Sequence, residues 1–309
     1  MRTCGGRFWS PHGIGAGGKV SMGTFRDELR VKLSTVEDLP TLPSIILELE
    51  RLLHSESTGL AEVALVIEED PGIAGGVLRV ANSVMFYSSV SGTIVSVRDA
   101  IVRLGLKEVS QVVSTAALIR TFKTMGPHLS PRRFWRHSLR TAVAGRAIAR
   151  AAASSGFYFE EEAYMAGLLH DLGLLILDQY FPDVYVQLHS SLGSAGAGNA
   201  DVERDVLGID HGEIGGYLLE QWDLPLLLVQ AVMWHNQPDR ATPEAQLLAE
   251  TVRTSEVIAE VLEAEGSSEE LMQTLVNRGL WTQLRIPVDS VTAIVAETKK
   301  DGTPVFALV

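Results

Sequence analysis

The stretch 167-GLLHDLGLL-175 places a histidine and an aspartate, His170 and Asp171, side by side in the middle of an apolar run. From Tyr164 to Leu177 the other residues are apolar or glycine. A carboxylate buried among apolar groups costs several kcal/mol or more unless a cation, a hydrogen-bond donor or water lies beside it. The pair therefore indicates either an ordinary hydrogen-bond network or a bound cation.

The size and composition of the chain are those of a globular protein. Its 309 residues, 46% hydrophobic and 21% charged, fit one large domain or two moderate ones with an ample core. The formal net charge of −12 argues against general nucleic-acid binding, because that function needs a surplus of lysine and arginine. A local basic patch stays open.

The features that bear on the compartment favour the cytoplasm. A single cysteine, Cys4, excludes an internal disulfide framework and fits a reducing environment. No apolar run reaches the roughly 18 residues that span a bilayer, and the N-terminus lacks the apolar core of a signal peptide. Residues 1–24 are rich in glycine and show no periodicity, which indicates a flexible leader. We therefore expect a soluble, cytoplasmic protein with no membrane segment.

Helical periodicity dominates from Phe25 onward and predicts an all-α protein. The predicted helices cover residues 43–53, 58–67, 97–104, 107–122, 131–153, 161–179, 210–221, 225–235, 244–264, 268–280 and 288–299, and a further helix starts at Asp70-Pro71. Residues 189–201 predict a loop of small residues, and residues 303–309 predict at most one strand.

Capping residues mark several helix ends. Asp70 before Pro71 is the pattern of an N-cap followed by proline at the first helical position. Gly105 predicts a C-terminus. Asp210 and Glu213 have the spacing of a capping box.

Three further histidines lie on predicted helices. His137 has apolar neighbours at helical spacing, His211 opens the helix at Asp210, and His235 ends the helix from Pro225. Each alone is more often a core or capping residue than a ligand. Four inward-facing histidines and an aspartate on successive helices are typical of a metal site in a helix bundle. These donors suit iron, manganese or zinc better than calcium, as one or two ions.

A basic stripe lies on the helix that carries His137. Arg132, Arg136 and Arg140 recur at helical spacing, and their phase relative to His137 points them away from the cleft. The stripe could hold a phosphate or an acidic partner surface. It could equally be a solvated helix face balanced by the acidic run at 160–162.

Several motifs, in order, resemble the HDOD family, the HD-related output domains of bacterial signalling within the HD metal-dependent phosphohydrolase superfamily. They are LPTLP (39–43), DPG (70–72), LRVANS (78–83), SVRDAIVRLG (96–105), FWRHS (134–138), the HD pair at 170–171 and DHGEIGGYLLEQWDLP (210–225). The resemblance covers roughly residues 36–238.

The resemblance implies a multi-helix bundle in which an N-terminal helical part packs on an HD-like helical part. The corresponding boundaries are a leader at 1–24, the two parts at 25–128 and 129–240, and a C-terminal helical extension at 241–309. The implied metal ligands are His137, His170, Asp171, His211 and His235.

Departures from the superfamily bear on catalysis. Leu174 stands where relatives that hydrolyse cyclic di-GMP carry lysine, and residues 235–245 contain no GYP signature. The last metal-binding carboxylate has no obvious counterpart; Glu250 or Glu256 could replace it, and the spacing does not decide between them. No residue stands out as a general acid, so no catalytic residue is assigned.

We therefore expect a bacterial regulatory module with an HD-type metal cluster that acts through protein contacts. Its expected partners are signalling proteins, or a second copy in a homodimer. The alternative is a metal-dependent phosphohydrolase, without the GYP signature, that acts on a nucleotide or another phosphoester. We expect no turnover of cyclic di-GMP and at most slow hydrolysis of generic phosphoesters.

Overall fold

The regular structure of this chain is helical. The computed structural model describes residues 39–53, 59–83, 92–122, 126–152, 159–192, 199–277 and 290–299, together with residues 31, 284, 286 and 308. These residues contain helices and no strand, which confirms the predicted all-α class. The predicted leader, 1–24, and all of the predicted C-terminal strand except residue 308 lie outside the described residues.

The first half of the chain forms short helices around a shared apolar core. They are α1 (Ser44–Leu53), α2 (Leu60–Glu68), α3 (Pro71–Ala81), α4 (Val97–Leu104) and α5 (Leu106–Thr121). Asp70 caps α3, because its carboxylate accepts hydrogen bonds from the amides of Gly72 at 2.9 Å and Ile73 at 3.2 Å. Gly105 ends α4 with a φ of 84°, which glycine adopts without a steric penalty. Both predicted signals are confirmed.

The second half is built around a long helix. Its elements are α6 (Pro131–Ala152), α7 (Glu160–Leu169), α8 (Leu172–Tyr180), α9 (Pro182–Leu192), α10 (Ala200–Leu207), α11 (His211–Gln221), α12 (Leu226–Trp234), a 3₁₀ turn (Pro238–Arg240), α13 (Pro243–Glu263), α14 (Ser268–Asn277) and α15 (Ser290–Thr298). Asp210 accepts a hydrogen bond from the Glu213 amide at 2.9 Å, as the capping-box spacing predicts.

Two predictions about the layout are wrong. The helix predicted over 161–179 is two helices, α7 and α8, because the chain turns at His170 and Asp171. The Asp171 backbone, at φ −96° and ψ 6°, no longer has α-helical angles. The small-residue loop predicted over 189–201 has the wrong bounds at both ends. α9 continues to Leu192, and Asn199 already caps α10 by accepting from the Val202 amide at 3.3 Å.

Buried polar contacts join the two halves. Thr115 of α5 and Tyr164 of α7 form a hydrogen bond of 2.9 Å between their hydroxyl groups. The Trp222 indole donates to the carbonyl oxygen of Pro40 at 2.7 Å, which ties the end of α11 to the segment before α1. Satisfied buried hydrogen bonds fix the geometry of the groups that they join. The N-terminal helices are therefore held against the helices that follow them.

The helices after residue 240 pack on the same core helices. α13 lies against α6, α7 and α12, and with α14, α15 and α6 it encloses a second apolar cluster that includes Ile148, Ile258 and Leu271. The domain boundaries at 24, 128 and 240 stay predictions. None of the helices in the described ranges combines the length and the apolarity that crossing a bilayer requires.

Candidate metal centre

Four histidines and one aspartate from different elements converge in the second half. His137 comes from α6, His170 and Asp171 from the turn between α7 and α8, His211 from the first residue of α11, and His235 from the residue after α12. His170, His211 and His235 are fully buried, and Asp171 is 7% exposed. The packing of helices that are distant in sequence thus brings the predicted ligand residues together.

Asp171 lies at the centre of this cluster. Its Oδ1 is 3.3 Å from Nε2 of His170 and 3.3 Å from Nε2 of His211, and its Oδ2 is 3.7 Å from Nε2 of His137. Two groups of donor atoms result, each with its members within 4.8 Å of one another: His137, His170 and Asp171, and Asp171, His211 and His235. Because both groups contain Asp171, one or two ions fit this arrangement.

Hydrogen bonds outside the cluster fix which ring nitrogens face inward. Nδ1 of His170 contacts the Gly167 carbonyl oxygen at 2.8 Å, and Nδ1 of His235 contacts that of Val232 at 2.7 Å. Since a carbonyl only accepts, each Nδ1 must carry the hydrogen and donate. The Nε2 lone pairs of the neutral rings are then directed into the cluster, as metal ligation requires.

Glu203 orients His211 in the same way. One carboxylate oxygen of Glu203 accepts from both the amide and the Nδ1 of His211, each at 2.7 Å, and the residue is 1% exposed. Glu203 lies on α10, a helix that the sequence did not predict, and the turn through Gly208, with a φ of 78°, brings it back against α11. No local pattern signals this contact, and Glu203 was missed.

The cluster contains polar atoms that nothing in the described ranges satisfies. His170 Nε2 and Asp171 Oδ1 are buried without a hydrogen-bond partner. Nε2 of His211 lies 3.2 Å from Nε2 of His235, and Nδ2 of Asn236 lies 3.2 Å and 3.0 Å from these two atoms. Buried polar atoms that lack a hydrogen-bond partner need a cation or water beside them. The residues present therefore fit a divalent transition ion.

The charge states of the imidazoles agree with this fit. Burial lowers the pKa of His170 to about 3, and burial with the neighbouring His211 lowers that of His235 to about 4, so both rings are neutral at neutral pH. Burial also opposes charge on His211 and His137, but Glu203 raises the pKa of His211 to about 10 and the Glu263 and Asp171 carboxylates raise that of His137 to about 9. Without a metal these two rings hold protons that an ion would replace.

The structure separates the two carboxylates that the sequence left open. Burial raises the pKa of Glu256, the Asp171 and Glu260 carboxylates raise it further, and His211 and His137 oppose them, so Glu256 lies within electrostatic range of the cluster. Burial also raises the pKa of Glu250, but its charged neighbours are Arg253 and Asp239. Neither glutamate belongs to the two groups of donor atoms.

The three arginines of the basic stripe on α6 differ in their exposure. Arg132 and Arg136 are exposed, whereas the Arg140 side chain is only 13% exposed and its Nη1 lies 3.7 Å from Oε1 of Glu263. That glutamate also contacts His137, so Arg140 borders the cluster. The expectation that the whole stripe points away from the cleft is wrong for Arg140, because α13 places an acidic residue there. Leu174, where lysine would stand in catalytic relatives, is buried.

Comparison with known proteins identifies a family model and several proteins that this chain resembles. Residues 39–238 match the sequence model of the HDOD domain. An HDOD domain protein of unknown function from Geobacter sulfurreducens has a TM-score of 0.73 at 24% identity, over 93% of this chain and 97% of its own. A protein from Shewanella amazonensis SB2B, provisionally described as a phosphohydrolase, has the same score and identity over 91% of this chain and 97% of its own. At these identities the likeness shows a shared fold.

A curated relative is longer than this chain. An uncharacterized protein from Treponema pallidum (strain Nichols) is 22% identical over 242 residues, which is 78% of this chain and 46% of the relative. The chain thus spans about half the length of the curated relative that it matches.

Proposed function

The chain belongs to the HDOD family, and from this premise we propose that it is a bacterial, cytoplasmic regulatory module whose helices are held together by an HD-type metal centre and which acts through protein contacts. The observation that carries the proposal is the convergence of three oriented Nε2 atoms on Asp171, with His170 Nε2 and Asp171 Oδ1 buried and lacking partners in the described ranges. His137, His170, Asp171, His211 and His235 would hold the ion or ions.

The donors suit iron, manganese or zinc, because imidazole nitrogen with carboxylate oxygen is the ligand set that these ions prefer. A bound ion of this kind supplies Lewis acidity and lowers the pKa of a coordinated water. The ligand residues come from α6, the α7–α8 turn, α11 and the end of α12. Binding would therefore stabilise the packing of these elements, because a ligand that binds only the folded state favours it.

The surroundings of the cluster favour protein contacts over fast catalysis. Buried Leu174 replaces the lysine that would stabilise charge on a phosphate group. The Glu203 carboxylate is hydrogen-bonded to His211, and the Glu263 carboxylate contacts both His137 and Arg140. The outer helices are then the surface through which a signalling protein, or a second copy of the chain in a homodimer, would be engaged.

One set of observations favours the alternative, a metal-dependent phosphohydrolase that acts on a nucleotide or another phosphoester. The His137 side chain is 17% exposed, so the cluster opens to solvent on that side. Glu256 lies within electrostatic range of it as a carboxyl group with a raised pKa, which is the property of a general acid.

Metal content and thermal stability test the proposal. Purified protein should retain iron, manganese or zinc by elemental analysis, and His170→Ala and Asp171→Ala should lose it. The exposed Asp223→Asn variant is the matched control and should retain metal. Asp171→Ala should lower the Tm of the metal-loaded protein much more than that of the chelated protein. Equal losses in both forms would show that the pair is ordinary core polarity.

Turnover assays separate the two functions. Cyclic di-GMP, nucleoside phosphates and bis(p-nitrophenyl) phosphate would be incubated with protein loaded in turn with Mn²⁺, Fe²⁺ and Zn²⁺. We expect no turnover of cyclic di-GMP and at most slow hydrolysis of the others. Robust metal-dependent turnover that His170→Ala abolishes would establish the enzyme instead. Analytical ultracentrifugation of the same samples tests the homodimer.

A further inference from the structure

The metal centre opens to solvent beside His137. The other three histidines of the cluster are fully buried, whereas 17% of the His137 side chain is exposed. Arg140 follows one turn later on the same face of α6, with 13% of its side chain exposed. An imidazole and a guanidinium group therefore border this opening together.

A carboxylate of the chain itself bridges these two groups. Oε2 of Glu263 lies 3.4 Å from Nδ1 of His137, and Oε1 lies 3.7 Å from Nη1 of Arg140. Each oxygen of one anion thus faces a different nitrogen donor. Proteins bind phosphate and carboxylate ligands with this arrangement, a planar guanidinium and a second donor that share the oxygens of one group.

The Glu263 side chain is positioned so that it can move away from His137 and Arg140. It is the last residue of α13, its side chain is 35% exposed, and the left-handed turn at Glu265 follows, with a φ of 57°. A side chain in the last turn of a helix can change rotamer without breaking the hydrogen bonds of the helix. The glutamate also lies beyond residue 238, where the match to the HDOD domain ends.

We propose that His137 and Arg140 form a binding position for a phosphate-type oxyanion at the mouth of the metal centre, and that Glu263 is an internal competitor that fills this position until such an anion displaces it. A phosphate group carries more charge and more acceptor oxygens than a carboxylate, so it competes with Glu263 where a small carboxylate does not. The evidence for the anion position is the contacts among the side chains of His137, Arg140 and Glu263. Its role as a regulatory input rests on the proposed function.

Displacement would change the contacts of α13. Glu263 is 126 residues from His137 in sequence, and its two contacts join the end of α13 to α6. An anion that binds only when this contact is open shifts the population toward the open state. The end of α13 is then released whenever the anion is bound, which couples the occupancy of the centre to an outer helix.

Calorimetric titration of inorganic phosphate into the full chain tests this inference, first with metal removed by chelation so that the metal question stays separate. Glu263→Gln keeps the size of the side chain and removes its charge. It should bind phosphate about tenfold more tightly than the unmodified chain, because the competitor no longer closes the site. Glu265→Gln, two residues away and exposed, should bind as the unmodified chain does. Acetate at the same ionic strength should not displace Glu263 and should therefore show no binding to the unmodified chain.

A second variant identifies the anion position. Arg140→Ala combined with Glu263→Gln should lose the gain in phosphate affinity, and circular dichroism melting confirms that each variant is folded. Equal phosphate affinity in Glu263→Gln and the unmodified chain would overturn the proposal, and so would full phosphate binding by the double variant. A lower metal content in purified Glu263→Gln would show a metal ligand in place of a competitor. If neither the unmodified chain nor any variant contained metal, but their order of phosphate affinity were as expected, the proposed metal centre would be refuted and the anion position would be supported.

Discussion

Gly173, at the start of α8, packs directly against the backbone of His211, the first residue of α11. A methyl group on Gly173 would overlap the His211 carbonyl oxygen and lie 2.8 Å from its carbonyl carbon. Asp171 is two residues before this contact, and its Oδ1 is 3.3 Å from Nε2 of His211. The absence of a side chain on Gly173 therefore allows the two ligand-bearing elements to approach this closely.

Gly173→Ala should separate α8 from α11 and disrupt the metal centre. Overpacking against a backbone that cannot yield is expected to destabilise the fold by about 3 kcal/mol. Urea unfolding and elemental analysis measure the two effects. Gly75→Ala, inside α3 with nothing near its added methyl group, is the matched control and should stabilise by about 0.5 kcal/mol. A metal-loaded and fully stable Gly173→Ala protein would contradict the packing described here.

Glu203→Gln should weaken metal binding and leave the fold intact. The substitution replaces the carboxylate that accepts from Nδ1 of His211 at 2.7 Å with a neutral amide, so the ring keeps an acceptor but loses the negative charge that raises its basicity. Mutation of such a partner typically lowers metal affinity about 10- to 100-fold. Competition with a chromophoric chelator measures the affinity. Glu220→Gln, exposed on α11, should keep the original value, and an unchanged affinity in Glu203→Gln would remove Glu203 from the site.

Asp178→Ala should destabilise the chain without affecting the metal. This buried carboxylate of α8 accepts from the His128 amide at 3.2 Å, the Leu129 amide at 2.8 Å and His128 Nδ1 at 2.8 Å, and so fixes the segment before α6. Its removal leaves these donors without their acceptor, which is expected to cost about 3 kcal/mol. Urea unfolding of Asp178→Ala is compared with that of Asp205→Ala, an exposed position on α10 where the change should stay within about 0.5 kcal/mol. Equal stability of the two variants would contradict this role.

Asp70 should contribute stability that depends on pH. Burial opposes its charge, but the Ile73 and Gly72 amides and the Arg120 guanidinium lower its pKa below the ordinary 3.8. A group whose pKa is depressed in the folded state stabilises above its unfolded pKa, and this contribution is lost as the pH falls through the folded value. Asp70→Asn keeps a capping side chain but cannot ionise.

The difference in unfolding free energy between the unmodified chain and Asp70→Asn should therefore be full at pH 7 and shrink below about pH 4. The unfolding free energy of Asp70→Ala should be lower than that of Asp70→Asn by about 1 kcal/mol at every pH, because alanine also removes the cap. Urea titrations from pH 7 to pH 3 measure both differences. A difference between the unmodified chain and Asp70→Asn that grows on acidification would contradict the assignment.

Local patterns predicted much of the helix layout. The helix over 97–104 has the expected bounds, and Asp70, Gly105 and Asp210 mark helix ends as predicted. These signals are readable because a cap is a hydrogen bond or a backbone angle within a few residues of the helix end, so neighbouring residues determine it. The sequence order of the histidines also predicted that they share one cluster.

Tertiary packing decided the rest. The turn at His170 and Asp171 interrupts a segment whose apolar pattern alone indicates one helix, and α11 packs against Gly173 directly after this turn. The packing of α13 brings Glu256, and not Glu250, within electrostatic range of the cluster. The spacing along α13 is equally helical for both residues, so no local rule separates them.

By itself, the sequence determined the helical class, most helix ends and the residues able to bind a metal, since these follow from side-chain chemistry and local hydrogen bonding. Only the tertiary structure decided that Glu203 orients His211, and that Glu263 joins His137 to Arg140 across 126 residues of chain. Such contacts depend on how helices distant in sequence pack against each other. That packing is set by the shape of the whole core, and no short window of sequence contains it.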